Sequence, residues 1–144
     1  MILRDTLAAT RARILATDIS TRVLVKARGG VYPATALDEI PDAFRRHLRR
    51  RSATEVEVVE ATRALVRFAH LNLMQEWPMR RPFDAIFCRN VMIYFDRPTQ
   101  ERLVQRFESL LRPGGYLFVG HSESLNALDH GLTYVQPAVY RRAE

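Results

Sequence analysis

Six polar side chains in this sequence follow short apolar runs, where an enzyme built on a parallel sheet places its chemistry. They are Asp18, Asn72, Arg89, Asn90, His121 and Glu123. In open α/β sheets, ligands bind beyond the carboxyl ends of the strands, so these side chains are candidates for ligand contact. A carboxylate there can accept hydrogen bonds from both hydroxyls of a ribose, which singles out Asp18. An aspartate that caps the following helix suits the same position equally well.

The remaining candidates carry different expectations. Arg89 and Asn90 follow a strand expected at the sheet centre, so we expect a buried polar pair that needs partners. Cys88, the single cysteine, excludes an internal disulfide and any multi-cysteine metal site. His121 and Glu123 lack the further ligands that a metal ion requires, so we expect no metal site and assign neither residue a role.

The elements that must position these residues alternate between strand and helix. The predicted strands cover residues 13–18, 65–70, 83–88 and 116–119, with a closing hairpin at 133–135 and 138–140. The predicted helices cover residues 1–10, 21–28 and 97–112. Ser20 or Thr21 caps the second helix, and Asp96 caps the third, whose apolar residues form one stripe. The pattern predicts an α/β fold with a parallel-rich sheet.

Residues 29–64 interrupt this alternation, and we interpret them as a small inserted subdomain within a single domain spanning 1–144. Pro33 and Pro41 break the segment, residues 41–51 are predicted to be helical, and 55–60 begin with the strict alternation of a half-exposed strand.

The composition describes a chain able to bury one core. It has 144 residues, 47% of them apolar, and its longest apolar run is the five residues 91–95. About 20 are needed to cross a bilayer, and no signal peptide is visible, so we expect a soluble cytoplasmic protein.

The formal charge of +6 is concentrated in residues 1–51, where arginines cluster. The cluster consists of Arg45, Arg46, Arg49, Arg50 and Arg51. A solvated helix face is the plainer interpretation, and an acidic protein surface is the functional one. Nucleic acid is the weaker functional option because no aromatic side chain is interleaved to stack on bases.

Residues 87–96, FCRNVMIYFD, strongly resemble the signature of the chemotaxis receptor methyltransferases, the CheR family. These protein-glutamate O-methyltransferases transfer a methyl group from S-adenosylmethionine to glutamate side chains of receptor helices. The resemblance continues in RILATDIS at 13–20, KARGGVYP at 26–33, LVRFAHLNL at 65–73, WPM at 77–79, PTQERL at 98–103, LLRPGGYLFVGHSESL at 110–125 and PAVYRR at 137–142. It covers nearly the whole chain in the order of the family.

The resemblance implies a cofactor site for S-adenosylmethionine. It makes Asp18 the ribose ligand and places Asn72 and Leu73 along the adenine. The residues that it places at the amino-acid end of the cofactor and the methyl-transfer pocket are Cys88, Arg89 and Asn90. Each also has a plainer interpretation: Leu73 packs, Cys88 fills the core, and Asn72 satisfies backbone groups.

The resemblance also implies two catalytic residues. Arg89 would orient the substrate carboxylate by a bidentate contact, and Tyr94, which could instead be a packing residue, would lie near the sulfonium. A glutamate with a pKa near 4.3 is already ionised at neutral pH and needs no general base. The protein must supply placement and desolvation of the two partners.

The sequence departs from the family at its start, where the family has a helical N-terminal domain, a first strand and a glycine-containing loop. We therefore expect a Rossmann-like class I methyltransferase sheet without its first central strand. The chain would be a truncated product, half of a split enzyme, or a non-catalytic module that uses the arginine cluster to contact an acidic partner. Alone, we expect it to bind S-adenosylmethionine weakly or not at all. Because residues 52–63 lack glycine, we also expect no tight hairpin in the insertion, and a member that does not bind a receptor tether.

Overall fold

A computed structural model describes residues 1–3 and 12–144, which divide into two compact units, Met1–Gln75 and Glu76–Glu144. Strands and helices alternate along both units, which confirms the predicted α/β class. The helix predicted for residues 1–10 falls mostly on 4–11, which lie outside the described residues. In the described ranges, no helix has the length and apolar character needed to cross a membrane.

The first unit contains a parallel pair of strands whose connection includes a helix and a separate small sheet. Its elements are β1 (Ile14–Asp18), α1 (Thr21–Gly29), β2 (Val31–Pro33), a 3-10 turn (Ala34–Leu37), α2 (Asp42–Arg45), β3 (Leu48–Arg50), β4 (Glu55–Val58), α3 (Glu60–Arg63) and β5 (Val66–His70). β1 pairs in parallel with β5, in agreement with the parallel-rich sheet that the sequence predicts. Ser20 Oγ accepts the N–H of Val23 at 3.3 Å, and Gly30 at φ +64° ends α1. The helix buries Leu24.

Residues 31–58 form a separate antiparallel sheet in the order β2-β4-β3, in the region where a small inserted subdomain is predicted. The helix predicted over 41–51 is wrong beyond Arg45, because β3 pairs with β4 and sets Arg49 opposite Glu57. His47, between α2 and β3, is buried with its Nδ1 3.0 Å from Thr62 Oγ1. Pairing with a neighbouring strand thus overrides a local helical pattern.

The turn between β3 and β4 forms without glycine, contrary to expectation. The N–H groups of Arg51 and Ser52 both donate to the carbonyl of Glu55, at 3.0 and 3.2 Å. Ser52 Oγ also accepts the N–H of Thr54 at 3.2 Å. A serine side chain therefore supports this turn, as Ser and Thr do when they bond backbone two residues on.

The second unit contains a mixed sheet. Its elements are β6 (Phe83–Cys88), a 3-10 turn (Met92–Tyr94), α4 (Arg97–Leu110), β7 (Leu111–Val119), β8 (Leu132–Gln136) and β9 (Val139–Arg142). The sheet order is β6-β7-β9-β8, with β6 parallel to β7 and the other pairs antiparallel. The closing hairpin is confirmed. Asp96 caps α4 as predicted, accepting the N–H of Thr99 at 3.1 Å.

The predicted end of α4 at residue 112 is wrong by two residues. Leu111 is extended and fully buried, and it begins β7 opposite Phe83. Burial of Leu111 in the sheet outweighs continuation of the helical stripe. The stripe is otherwise confirmed, because Leu103, Val104 and Phe107 are buried where α4 packs on β7.

We expect Leu103→Ala to lower the free energy of unfolding by about 3 kcal/mol, because it leaves a cavity where α4 supports the sheet. Ser109→Ala, on the exposed side of the same helix, is the control and should change it by less than about 0.5 kcal/mol. Urea unfolding of both variants measures the difference. Equal effects would contradict the assignment of the buried face.

Candidate functional site

In the first unit, the carboxyl ends of β1 and β5 bring three predicted site residues to one edge. Asp18 lies opposite His70 in the register, and its carbonyl accepts the N–H of Leu71 at 3.1 Å. Asn72 and Leu73 follow directly. The predicted grouping of Asp18 with Asn72 and Leu73 is therefore present.

The side chains at this edge also shape their own turns. Asp18 is half-buried, and its Oδ1 accepts the N–H of Ser20 at 2.7 Å. No residue of the described ranges engages its Oδ2. Asn72 Oδ1 accepts the N–H of Met74 at 2.9 Å, and Leu73 is half-buried. Asp18 Oδ1 thus stabilises the turn that leads into α1, and Oδ2 remains as an acceptor for a ligand.

In the second unit, Cys88 ends β6 beside Val119 of β7, and its side chain is buried. Burial, and then the negative charge of Glu123, raise the pKa of the Cys88 thiol to about 12. The thiol is therefore neutral near pH 7, which excludes it as a nucleophile there.

Arg89 and Asn90 are both exposed, so the expected buried pair is wrong. Asn90 has a φ of +58°, in the left-handed region, and the chain changes direction there after β6. Within the described part of the chain, nothing forms a hydrogen bond or ion pair with the Arg89 guanidinium. Tyr94, at the end of the 3-10 turn, is 80% exposed. Cys88, Arg89, Asn90 and Tyr94 all lie on the segment leaving β6.

Glu123, to which the sequence assigned no role, organises this segment. Its buried carboxylate accepts hydrogen bonds from five backbone N–H groups. They belong to Gly120 and Asn90 on Oε2, at 2.6 and 2.8 Å, and to Val91, Met92 and Ile93 on Oε1, at 2.8, 2.7 and 3.3 Å. An acid just past a strand was the available signal, but four of its five partners lie 30–33 residues away.

The charge state of Glu123 follows from these contacts. Burial acts to raise the pKa of Glu123, but the bonds from Gly120, Asn90, Met92 and Val91 outweigh it and hold the pKa below its ordinary value of 4.5. The group is therefore an anion at neutral pH. All of its contacts given above are to backbone N–H groups, and His121 is exposed.

The arginine cluster is not the helix face that was predicted. Arg45 ends α2, whereas Arg49 and Arg50 lie in β3. Arg45 pairs with Asp42 at 3.1 Å, and Arg49 pairs with Glu57. Acidic side chains of the same chain therefore already neutralise part of the positive charge of the arginine cluster.

Comparison with known proteins assigns the chain to one family. Residues 1–140 match the family described as CheR methyltransferase, SAM binding domain. The chain is 45% identical over 136 residues to Chemotaxis protein methyltransferase 2 of Pseudomonas aeruginosa, covering 91% of this chain and 49% of that protein. It is 43% identical over 147 residues to Chemotaxis protein methyltransferase of Escherichia coli, covering 97% and 51%. The chain thus spans about half the length of the curated relatives it matches.

We expect the stability contributed by Glu123 to depend on pH. Because its folded pKa lies below the unfolded value, the contribution is fully present above pH of about 5 and is lost as the pH falls through the folded pKa. Glu123→Gln should lower the free energy of unfolding by about 3 kcal/mol at pH 7, and the difference from the parent should shrink in acid.

Urea unfolding of both proteins between pH 7 and 3 measures this. Glu57 and Asp96, whose pKa values are also lowered, are unchanged in the variant and cancel in the difference. A difference that stays constant across this range would contradict the assignment.

Proposed function

The chain belongs to the CheR methyltransferase family, and from this premise we propose that it takes part in transferring a methyl group from S-adenosylmethionine to glutamate side chains of chemotaxis receptors. The observation that carries the proposal is the match of residues 1–140 to the family's S-adenosylmethionine-binding domain. The names of the relatives, chemotaxis protein methyltransferases, support the reaction and the pathway.

We further propose that the fold is a Rossmann-like methyltransferase sheet without its first central strand, with residues 29–64 as an inserted subdomain. Two parallel strand pairs, each spanned by a helix, support the sheet: β1 with β5, and β6 with β7. Among the described residues, β1 is hydrogen-bonded only to β5, and β6 only to β7. Each pair therefore keeps a free edge, which supports an incomplete sheet.

The donor set of the first unit fits the nucleoside of S-adenosylmethionine. A ribose diol needs an acceptor, and Asp18 offers the carboxylate oxygen that its own turn leaves over. Leu73 supplies an apolar side chain for an adenine face. Asn72 uses its side-chain oxygen on Met74 and keeps its amide N–H₂ as a donor. These residues would hold the cofactor by its nucleoside.

The segment after β6 fits the amino-acid end and the reaction. When bound, S-adenosylmethionine supplies an electrophilic methyl group on a sulfonium. Arg89 offers a planar pair of donors to a carboxylate, with no competing partner in the described ranges. Tyr94 presents an exposed ring and hydroxyl on the same segment, and Asn90 offers its amide. Cys88 provides neutral, apolar packing beneath the segment.

The alternative, a non-catalytic module or split half that binds an acidic partner, rests on the arginine cluster. Two of its five arginines are paired with Asp42 and Glu57. The cluster then has less free charge for a partner than its sequence indicates. We therefore favour the enzyme, with the exposed arginines as an auxiliary contact to an acidic receptor surface.

We expect the 144-residue chain to bind S-adenosylmethionine weakly or not at all. In this chain, or in a chimaera that places it in the matching half of the Escherichia coli relative, we expect Asp18→Asn to weaken binding about tenfold to a hundredfold, because a charge-assisted bond contributes about 1.5–3 kcal/mol. Asp38→Asn, an exposed carboxylate in the same unit, is the matched control and should leave affinity unchanged. Amide chemical shifts during cofactor titration give the affinities. Equal affinity in the parent and Asp18→Asn, or absence of any shift in the chimaera, would refute the assignment.

Methyl transfer itself is tested by placing the chain in the matching half of the Escherichia coli relative. We expect this chimaera to transfer labelled methyl groups to receptor membranes, and Arg89→Ala to slow transfer about a hundredfold through lost orientation of the carboxylate. Arg102→Ala, on the exposed side of α4, should have no effect. An inactive chimaera that still binds cofactor would favour the non-catalytic alternative.

A further inference from the structure

Glu123 stands out because it contacts the backbone between Arg89 and Tyr94, the two residues proposed for catalysis, without contacting either of their side chains. Four of its five donors are consecutive N–H groups, from Asn90 to Ile93. Successive backbone N–H groups that converge on one point form an anion-binding concavity. Here the anion is the carboxylate of Glu123, a side chain of the same unit, and it occupies this concavity.

The carbonyl groups of the same segment are held from the other side. Gln100 Nε2 of α4 donates to the carbonyls of Met92 and Phe95, both at 2.9 Å. Glu123 therefore binds the N–H groups and Gln100 binds the carbonyls. The 3-10 turn Met92–Tyr94 is held between two side-chain contacts, one from Glu123 after β7 and one from Gln100 of α4.

The geometry at Asn90 and Gly120 shows how closely this arrangement is packed. Asn90 adopts its left-handed φ of +58° while its N–H donates to Glu123 Oε2 at 2.8 Å. Asparagine adopts the left-handed region more readily than other residues with a side chain, and the bond to Glu123 holds the backbone there. A Cβ atom on Gly120 would lie 2.6 Å from both Asn90 Oδ1 and Glu123 Oε2. The absence of a side chain at position 120 is thus required for the carboxylate to reach the segment.

The two proposed catalytic residues lie at the ends of the held segment. Arg89 directly precedes Asn90, and Tyr94 directly follows Ile93. Both side chains are exposed. The clamp of Glu123 and Gln100 engages the backbone and leaves both side chains available to a ligand.

We propose that Glu123 is a positioning residue for methyl transfer: its carboxylate holds the backbone from Asn90 to Ile93 so that Arg89 and Tyr94 project toward the cofactor and the substrate carboxylate. The inference rests on the proposed function. It assigns Glu123 no contact with either ligand. Its effect on binding must therefore pass through the side chains that it positions.

The test compares Glu123→Gln with the parent in the 144-residue chain. Glutamine has the same shape as glutamate, but one carboxylate oxygen is replaced by an N–H₂ group. That group cannot accept hydrogen bonds from the backbone N–H groups that face it. Glu108→Gln is the matched control, since Glu108 also accepts a loop N–H, that of Gly131 at 3.0 Å, on a different loop of the same unit. Urea unfolding measures the folded fraction of each protein.

Two readouts follow on the folded proteins. Amide hydrogen exchange measures protection of residues 91–93, which should fall at least tenfold in Glu123→Gln and remain unchanged in Glu108→Gln. Chemical-shift titration with S-adenosylhomocysteine, the unreactive demethylated cofactor, should show affinity about tenfold lower in Glu123→Gln.

A double-mutant cycle with Arg89→Ala separates positioning from general destabilisation. If Glu123 acts through Arg89, Glu123→Gln should weaken binding less than twofold in the Arg89→Ala background. Equal weakening in both backgrounds, or lost protection with unchanged affinity, would overturn the inference and leave the proposed function intact. If the parent chain alone shows no binding, the same variants are compared in the Escherichia coli chimaera, where absence of cofactor binding by the parent would overturn the proposed function and this inference with it.

If Glu123→Gln does not fold, Glu123→Asp replaces it in the same cycle. Aspartate keeps the charge but is one methylene too short to reach both groups of N–H donors. We expect a threefold to tenfold loss of affinity that again disappears in the Arg89→Ala background. Unchanged affinity would refute the positioning role.

Discussion

The second unit depends on one buried negative charge and the backbone dipoles gathered around it. A carboxylate is costly to remove from water unless hydrogen bonds replace its hydration. Glu123 obtains them from five N–H groups, which would otherwise need partners themselves. The same contact joins the segment after β6 to the segment after β7 and requires glycine at position 120. Charge burial, backbone satisfaction and loop conformation are therefore a single constraint.

This constraint gives backbone and side chains different roles in the segment after β6. Polar backbone groups of the segment after β6 are satisfied within the unit, whereas Arg89 and Tyr94 extend outward. The first unit follows a related rule at the end of β1, where Asp18 Oδ1 stabilises the turn into α1 and Oδ2 is left over. In both units, the groups that set the loop conformation differ from those that we propose meet a ligand. A site built this way keeps its shape without help from the ligand.

Sequence patterns succeeded where the determining contacts are local. Asp96 and Ser20 cap their helices, the apolar stripe of α4 faces its sheet, and β6 has the predicted bounds. The patterns failed where pairing between strands competes with the local preference for helix. Residues 46–51 turn away from helix to pair with β4, and Leu111 leaves α4 for the sheet. The β3–β4 turn forms without glycine, because the Ser52 hydroxyl accepts a hydrogen bond from a backbone N–H within the turn.

The amino-acid sequence alone determined the α/β class, the family, and the positions of Asp18, Asn72, Arg89 and Asn90 beyond their strands. It did so because periodicity, caps and motif order are properties of neighbouring residues. Only the tertiary structure decided that Arg89 and Asn90 are exposed, that part of the arginine cluster is paired within the chain, and that Glu123 holds the segment beside them. These features depend on which backbone N–H groups converge on one carboxylate, and no local pattern encodes a contact across some 30 residues.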